Sequence, residues 1–333
     1  MKPPRLQGVW FPLFIGRSRI KHKVRPTCRT HNEFSFGCIV NDAWNVFVWV
    51  GPAYLTRLTG HMSLQLPEVE TVGAIVLAAA RDAGLDQFSW HDRSVKEDGT
   101  VVTQTDHRVQ AFIARELQAN WPQFTFMGEE MEHRQQARIV GGDDACFWAL
   151  DPLDGTTNFS MSLPFYGVSL GLVVDGTVQL GVVYDPVRDE LFSAARGQGA
   201  FLNGEKLTTP DTDIPIRRCI ANVDYKRLVS QLAERLVRYP PFGAQRNLGS
   251  CVLEWCWLAA GRIQLYLHGG QRMWDYAAGS LILAEAGGAF TTIRGLPLDC
   301  RTFTKRSVVA AINAELQQQW LTWIWENDER LHK

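Results

Sequence analysis

The run Trp148-Ala149-Leu150-Asp151-Pro152-Leu153-Asp154-Gly155-Thr156-Thr157-Asn158-Phe159 decides how this chain is read. The apolar stretch Cys146 to Leu150 reads as a short strand that ends at Asp151. Beyond it Asp151 and Asp154 flank one turn, so both carboxylates can point at one site with the Leu153 carbonyl between them. Gly155, Thr156 and Thr157 follow, and a Gly-Thr start leaves backbone N–H groups where a phosphate would bind. A single acid at a turn or helix start is an ordinary cap. The string Asp-Pro-x-Asp-Gly-Thr carries more, because five fixed positions arise by chance in about one chain of this length in ten thousand.

Three more acidic places stand around it: Asp106 closing Val-Thr-Gln-Thr-Asp, Glu129-Glu130 after Gly128, and Trp274-Asp275. Each falls at a predicted strand end or helix start. Hard divalent cations such as magnesium take carboxylate oxygens and water in near-octahedral geometry, and such edges supply them when they converge. His268 and His133 offer nitrogen, which magnesium does not prefer, so surface or supporting roles are expected of them. Cys251 and Cys256 share a predicted helix without basic neighbours and read as packing residues.

The periodicity places these residues. A helix is predicted over 67–83, with Val69, Val72, Val76, Ala79 and Ala83 at helical spacing and Gly84 as its stop, and a second begins at Asp106 with Val109, Phe112, Ile113 and Leu117 on one face. From Val168 a strand, the Asp175-Gly176 turn, a strand to Tyr184, another at Leu191 to Ala194 and the Asn203-Gly204 turn describe an antiparallel meander. The second half alternates: a strand near Ile220, a helix with Leu228, Leu232 and Leu236, a helix from Ser250 to Ala260, a strand at Ile263 to Leu267, a helix over 275–286 and a strand at Val308 to Ile312. The last helix holds Trp320, Trp323 and Trp325, a packing face or part of a dimer contact. Two layered subdomains sharing a cleft are expected, residues 62–205 with most of the acids and 206–333 with Asp275.

Residues 1–61 differ in kind. They hold nine Lys or Arg against Glu33 and Asp42, leaving 25 bases and 33 acids in the remainder. They contain Pro3, Pro4, Pro12 and Pro26, a basic run from Arg17 to Arg29, and no helical or strand period, so no core element is expected there. An early-assigned start, with Met62 the natural one, and a targeting or partner-binding arm both fit such a leader. The acidic body lacks the electrostatic footprint of a nucleic-acid binder, and any anionic substrate needs a cation to bridge it.

In 333 residues, 46% apolar and 21% charged, there is enough chain for a full core, which excludes disorder and a disulfide scaffold. The seven cysteines are scattered without CxxC spacing and read as reduced thiols, pointing to the cytoplasm. No segment has the clean apolar run of a membrane span; Phe36 to Leu55 is broken by Asn41, Asp42, Asn45 and Pro52.

Gly128-Glu129-Glu130, Trp148 to Phe159 and Trp274-Asp275-Tyr276-Ala277-Ala278-Gly279 resemble the three signature motifs of the inositol monophosphatase family, and Lys96 to Asp106 resembles its N-terminal loop. The resemblance covers roughly 65–325. It implies an α+β, α/β layered αβαβα sandwich of the inositol monophosphatase and fructose bisphosphatase type. It also implies Mg²⁺-dependent, lithium-sensitive hydrolysis of a small phosphate monoester, usually by a homodimer, with two to three ions per site. Glu129, Asp151 and the Leu153 carbonyl match the ligands of one ion, and Asp151, Asp154 and Asp275 those of a second; Glu129 also serves a looser third. Asp106 and Thr156 match the pair that orients and deprotonates the attacking water. Gly155 and Thr156 match the phosphate cradle, and Cys251 and His268 fall in the substrate-contacting region. His268 stands where the family typically has a glutamate, which implies a different pattern of substrate hydroxyls. A 3'-phosphoadenosine-type bisphosphate nucleotidase also fits the loop, although that branch usually has lysine at the position of Thr157. Fructose bisphosphatase and histidinol phosphatase activities share the scaffold, and some bacterial relatives bind the transcription machinery.

Overall fold

The computed structural model describes residues 65–85, 103–142, 146–210 and 213–328 with their side chains, and the backbone of 9–15, 18–26, 37–41, 44–48, 93–95 and 101–102. The chain divides into two compact units, Met1–Leu66 and Pro67–Lys333.

In the first unit, β1 (Val9–Ile15), β2 (Ser18–Pro26), β3 (Gly37–Asn41) and β4 (Trp44–Val48) form an antiparallel meander in that order. Strands thus stand in a segment where no strand period was read and no core element was expected. The missed signal is in the basic run itself: Arg19, Lys21, Lys23 and Arg25 alternate with Ile20, His22 and Val24, the period of a strand. Its register with β1 is one-for-one from Val9↔Val24 to Ile15↔Ser18.

The second unit is layered. Helices α1 (Val69–Ala83) and α2 (Gln104–Asn120) cover one face of a seven-stranded sheet. That sheet runs in the order β13 (Glu205–Leu207), β12 (Gly199–Leu202), β11 (Glu190–Ala195), β10 (Thr177–Asp185), β9 (Gly167–Val174), β8 (Cys146–Asp154), β7 (Thr125–Gly128). Only β7 and β8 are parallel. Between them lies the short helix α3 (His133–Val140), and after β8 comes α4 (Thr156–Ser160). A hairpin of β5 (Arg93–Val95) and β6 (Val101–Thr103) leads into α2; Lys96 to Thr100, the front of the loop motif, lies outside the described residues.

A second sheet has the order β15 (Ala244–Arg246), β14 (Ile220–Asp224), β16 (Leu265–Gln271), β18 (Arg306–Ala311), β17 (Ala289–Thr291). Helices α6 (Cys251–Ala259) and α7 (Met273–Ala286) pack between the sheets, while α5 (Ser230–Arg238) and α8 (Ala314–Asn327) pack together, with α8 against β16, β17 and β18. The result is an αβαβα layered sandwich. The first sheet runs through Leu207, so a subdomain boundary at 205 would cut β13.

Strand β8 shows why the layers form. Trp148 and Leu150 are buried with α1 and α2, whereas Phe147 and Ala149 are buried with α6 and α7, as side chains alternating across a strand buried on both faces must be. The turns Asp175-Gly176 and Asn203-Gly204 have positive φ at both positions (50° and 73°, 50° and 82°), matching the right-handed twist of the meander. Helix α7 lies close on the sheet because β10 has Gly181, where a Cβ would stand 2.8 Å from the Ala278 backbone. In the last helix, Trp320 is buried, stacks on Trp323 and donates to the Tyr266 carbonyl (3.2 Å), while Trp325 is exposed and donates to the Ile293 carbonyl.

No helix among the described residues is long and apolar enough to cross a membrane. Cys219, Cys251, Cys256 and Cys300 are free thiols.

Candidate active site

Asp151 and Asp154 sit three residues apart on one strand, which would ordinarily send their side chains to opposite faces. A bulge prevents this. Asp151 pairs with Ser169 and Asp154 with Gly167, three steps on β8 against two on β9, and the extra residue brings both aspartates to one cleft. Leu153 N–H donates to Asp151 Oδ1 (3.1 Å), and Ser250 Oγ and Val252 N–H both donate to Asp154 Oδ2 at 2.8 Å.

Glu129 reaches the same cleft from the end of β7, where its N–H donates to the Leu150 carbonyl and Gln136 Nε2 donates to its own carbonyl (3.1 Å). Asp275 arrives from the opposite layer as the third residue of α7, its Oδ2 accepting from Arg272 N–H at 2.7 Å. Ser169 Oγ donates to the Trp274 carbonyl (3.2 Å), which ties the start of α7 to the residue paired with Asp151.

Asp106 is buried at the third position of α2, with Thr103 N–H and Oγ1 donating to its Oδ2 at 2.7 and 2.6 Å. Its other oxygen lies 3.3 Å from Thr156 Oγ1, which donates to the Leu153 carbonyl at 2.9 Å. The expected proton-handling pair is therefore in contact, although Asp106 Oδ1 competes with Leu153 for the single hydroxyl proton. Gly155 precedes α4 at φ 85°, and a Cβ there would come within 3.0 Å of the Phe165 carbonyl and 3.2 Å of Ser250 Cβ, so only glycine fits this turn.

The carboxylates disturb one another. Burial, then Glu129, Asp154 and Asp275, pushes Asp151 well above the usual carboxylate range. Asp275 is likewise pushed well up by burial, then by Asp154 and Glu129. Burial also raises Asp154 and Asp106, against the hydrogen bonds from Val252 and Ser250 in the first case and from Thr103 in the second. Like charges crowded in a partly dry cleft call for a cation. Among the described residues no three His, Cys, Asp or Glu side chains form a ready-made cage for a metal ion. Magnesium does not require one, since it keeps several waters and takes one or two carboxylates plus substrate oxygens. An all-oxygen donor set with excess negative charge fits such an ion.

His268 lines the cleft, but both of its nitrogens are engaged within the protein. Nδ1 accepts from Gly270 N–H (3.1 Å) and Nε2 stands 3.4 Å from Asp224 Oδ2. Its Nε2 is thereby shared with Asp224, a neighbour that the sequence alone did not single out. Burial alone would raise Asp224; the hydrogen bond and charge of His268, with Arg227, hold it below its usual value. Cys251 also lines the cleft, its thiol pushed well up by burial and by Asp154, Glu254 and Asp275, so it is a packing or contact group rather than a nucleophile. Cys256 is buried and inert in the same way. His133 is exposed at the cleft edge against the Phe303 ring. Ser250, Gln136 and Glu254 were also missed; Glu254 had left a signal, as the one charge in the apolar run Cys251 to Ala259.

The cleft, about 570 Å³, thus gathers Glu129, Asp151, Leu153, Asp154, Gly155, Thr156, Cys251, His268 and Asp275 on one wall system, with Asp106 touching it through Thr156. The sequence model of the inositol monophosphatase family matches residues 65–329. Escherichia coli Nus factor SuhB is 36% identical over 237 residues, 66% of this chain and 85% of that protein. Inositol monophosphatase 1 of Bos taurus is 32% identical over 226 residues, covering 66% and 79%. Among solved structures, the Thermotoga maritima IMPase superimposes with a TM-score of 0.63 at 28% identity, over 79% of this chain and 96% of that one. Fold, motif order and cleft agree, and the chain belongs to the inositol monophosphatase family, a phosphatase of that superfamily.

Proposed function

We propose that this chain hydrolyses a small phosphate monoester, an inositol or sugar phosphate, with Mg²⁺ held by Glu129, Asp151, the Leu153 carbonyl, Asp154 and Asp275. The observation that carries this reading is the convergence of those acids on the cleft that also holds the Asp106–Thr156 contact. A metal ion held there would supply Lewis-acid chemistry, making water more acidic and offsetting charge on the phosphate. The protein's share is positional. Asp106 accepts a proton through Thr156 Oγ1, which aligns the attacking water. The Thr156 and Gly155 backbone N–H groups face the phosphate, Gly155 N–H also bonding the Asp154 carboxylate. Ser250 and Val252 keep Asp154 turned toward the cleft. No covalent enzyme intermediate is needed.

Lithium sensitivity, a homodimer, two to three ions per site and a cytoplasmic location belong to the same reading by family resemblance. The site is a small-molecule one, with neither nucleic acid nor membrane as partner. The similarity to Nus factor SuhB supports a second role, binding to the transcription machinery; a pull-down with a metal-site variant separates the two.

The test is a phosphate-release screen with Mg²⁺ across inositol phosphates, sugar phosphates, bisphosphate nucleotides and histidinol phosphate. Release from an inositol or sugar phosphate supports the reading. Turnover confined to bisphosphate nucleotides or histidinol phosphate would replace it with one of the alternatives.

A further inference from the structure

The cleft has buried acids on its floor and, at its more exposed rim, cations beside Glu130 and Asp224. Lys226, Arg227, Arg272 and Lys305 all line it. They are not scattered surface charges. Asp224 Oδ1 accepts from Lys226 N–H (3.1 Å) and so caps the Tyr225–Arg227 turn that presents the first two. His268 and Gln271 pair with Val308 and Arg306, three steps against two, so Gly269 and Gly270 bulge toward the rim. A Cβ on Gly269 would collide with the Arg227 carbonyl, while one on Gly270 would lie 3.6 Å from Lys305 Cβ. The bulge therefore holds the Lys226–Arg227 turn on one side and Lys305 on the other.

The acid available to these cations is Asp224, 3.8 Å from Arg227 Nε and shared with His268. Lys226, Lys305 and Arg272 have no carboxylate within 4 Å among the described residues; Arg272 lies over the Phe303 ring instead. On the phosphatase reading the floor acids hold a metal ion and, only through it, the phosphate that reacts, which leaves the rim with positive charge that a single phosphate does not use.

Resting on the phosphatase reading above, we propose that the preferred substrate carries a second anionic group, a phosphate or a carboxylate, bound by the rim formed by Lys226, Arg227 and Lys305 while the first phosphate reacts on the acidic floor. Charge-assisted bonds from these side chains distinguish such a substrate from its analogue with only one anionic group. Lysine binds as a point charge, so either anion satisfies the rim; reach and charge then decide between them.

The experiment compares kcat/KM for fructose 1,6-bisphosphate with fructose 1-phosphate, and for 3-phosphoglycerate with glycerol 1-phosphate, in the parent and in the double variant Lys226→Ala/Lys305→Ala. Both lysines are exposed, so the variant is expected to melt with the parent. The parent should prefer one doubly anionic partner by about 10-fold or more, chiefly through KM. The pair that shows the preference identifies the second group. In the double variant that ratio should fall to within about 3-fold of unity, and raising the salt should lower it in the parent. A parent ratio near one in both pairs, or a high ratio that survives the substitutions, overturns the proposal. If no ester is hydrolysed the phosphatase reading fails instead. The rim is then judged by calorimetric titration with the same four compounds, where equal affinities for the members with one and with two anionic groups overturn it.

Discussion

Glu254 is a buried carboxylate inside the apolar helix α6, accepting the N–H groups of Leu248 (3.2 Å) and Gly249 (3.0 Å) through one oxygen. It thereby holds the loop from which Ser250 reaches Asp154. Burial pushes it up to about 7, against hydrogen bonds from Tyr266 and Gly249. An unfolded glutamate ionises near its ordinary value, so below that both states are protonated and pH has no effect. Between there and about 7 the unfolded chain releases the proton first, and stability falls as pH rises. Glu254→Gln removes this dependence while keeping an acceptor for both N–H groups. Relative to the parent, the variant should gain about 3 kcal/mol between pH 4.5 and 8, an order-of-magnitude figure from the size of the shift. Urea unfolding of both proteins with chelator present checks it, and parallel pH profiles would show that Glu254 does not titrate there.

At the scale of elements, α6 and α7 meet where Gly279 faces Trp255, and a Cβ on that glycine would strike the indole. Alanine is the better helix former by about 1 kcal/mol, but Trp255 is fully buried and has nowhere to move, and overpacking costs about 1–3 kcal/mol. Gly279→Ala should therefore lower the melting temperature, with Asp275 displaced along with α7; an unchanged or raised midpoint contradicts the packing account. Much of this architecture was legible beforehand. Gly84 and Gly287 ended α1 and α7 as expected, and the Asp175-Gly176 and Asn203-Gly204 turns fixed the meander. The bulges at Asp151–Asp154 and His268–Gln271 were not, since a bulge is a mismatch between two strands and one strand does not carry it. For the same reason the motifs exposed the acids of the site, while Asp224, Gln136 and Lys305 became visible only when distant segments met. Short elements such as α3 and β15 left too few residues to show a period.

At the scale of the whole molecule, every residue assigned to the site lies within Pro67–Lys333, and the basic N-terminal unit is a separate compact body. A protein beginning at Met62 is expected to keep the fold and metal-dependent turnover of the full chain, measured by circular dichroism and phosphate release. Loss of either would make the β1–β4 meander a working part of the enzyme. The layered sandwich exists to bring the end of β8 and the start of α7, 121 positions apart between Asp154 and Asp275, to one cleft. The most direct test of that claim is phosphate release from the best monoester at limiting Mg²⁺ by the parent, Asp151→Asn and Asp275→Asn. Asparagine keeps the shape and an acceptor for Leu153 N–H at 151 and for Arg272 N–H at 275 but removes the charge, so each variant should lose at least about 100-fold in activity, and chelation should abolish activity in the parent. Parent-like turnover by either variant at limiting Mg²⁺, or undiminished activity after chelation, would contradict the assignment of these carboxylates to a metal-dependent phosphatase site.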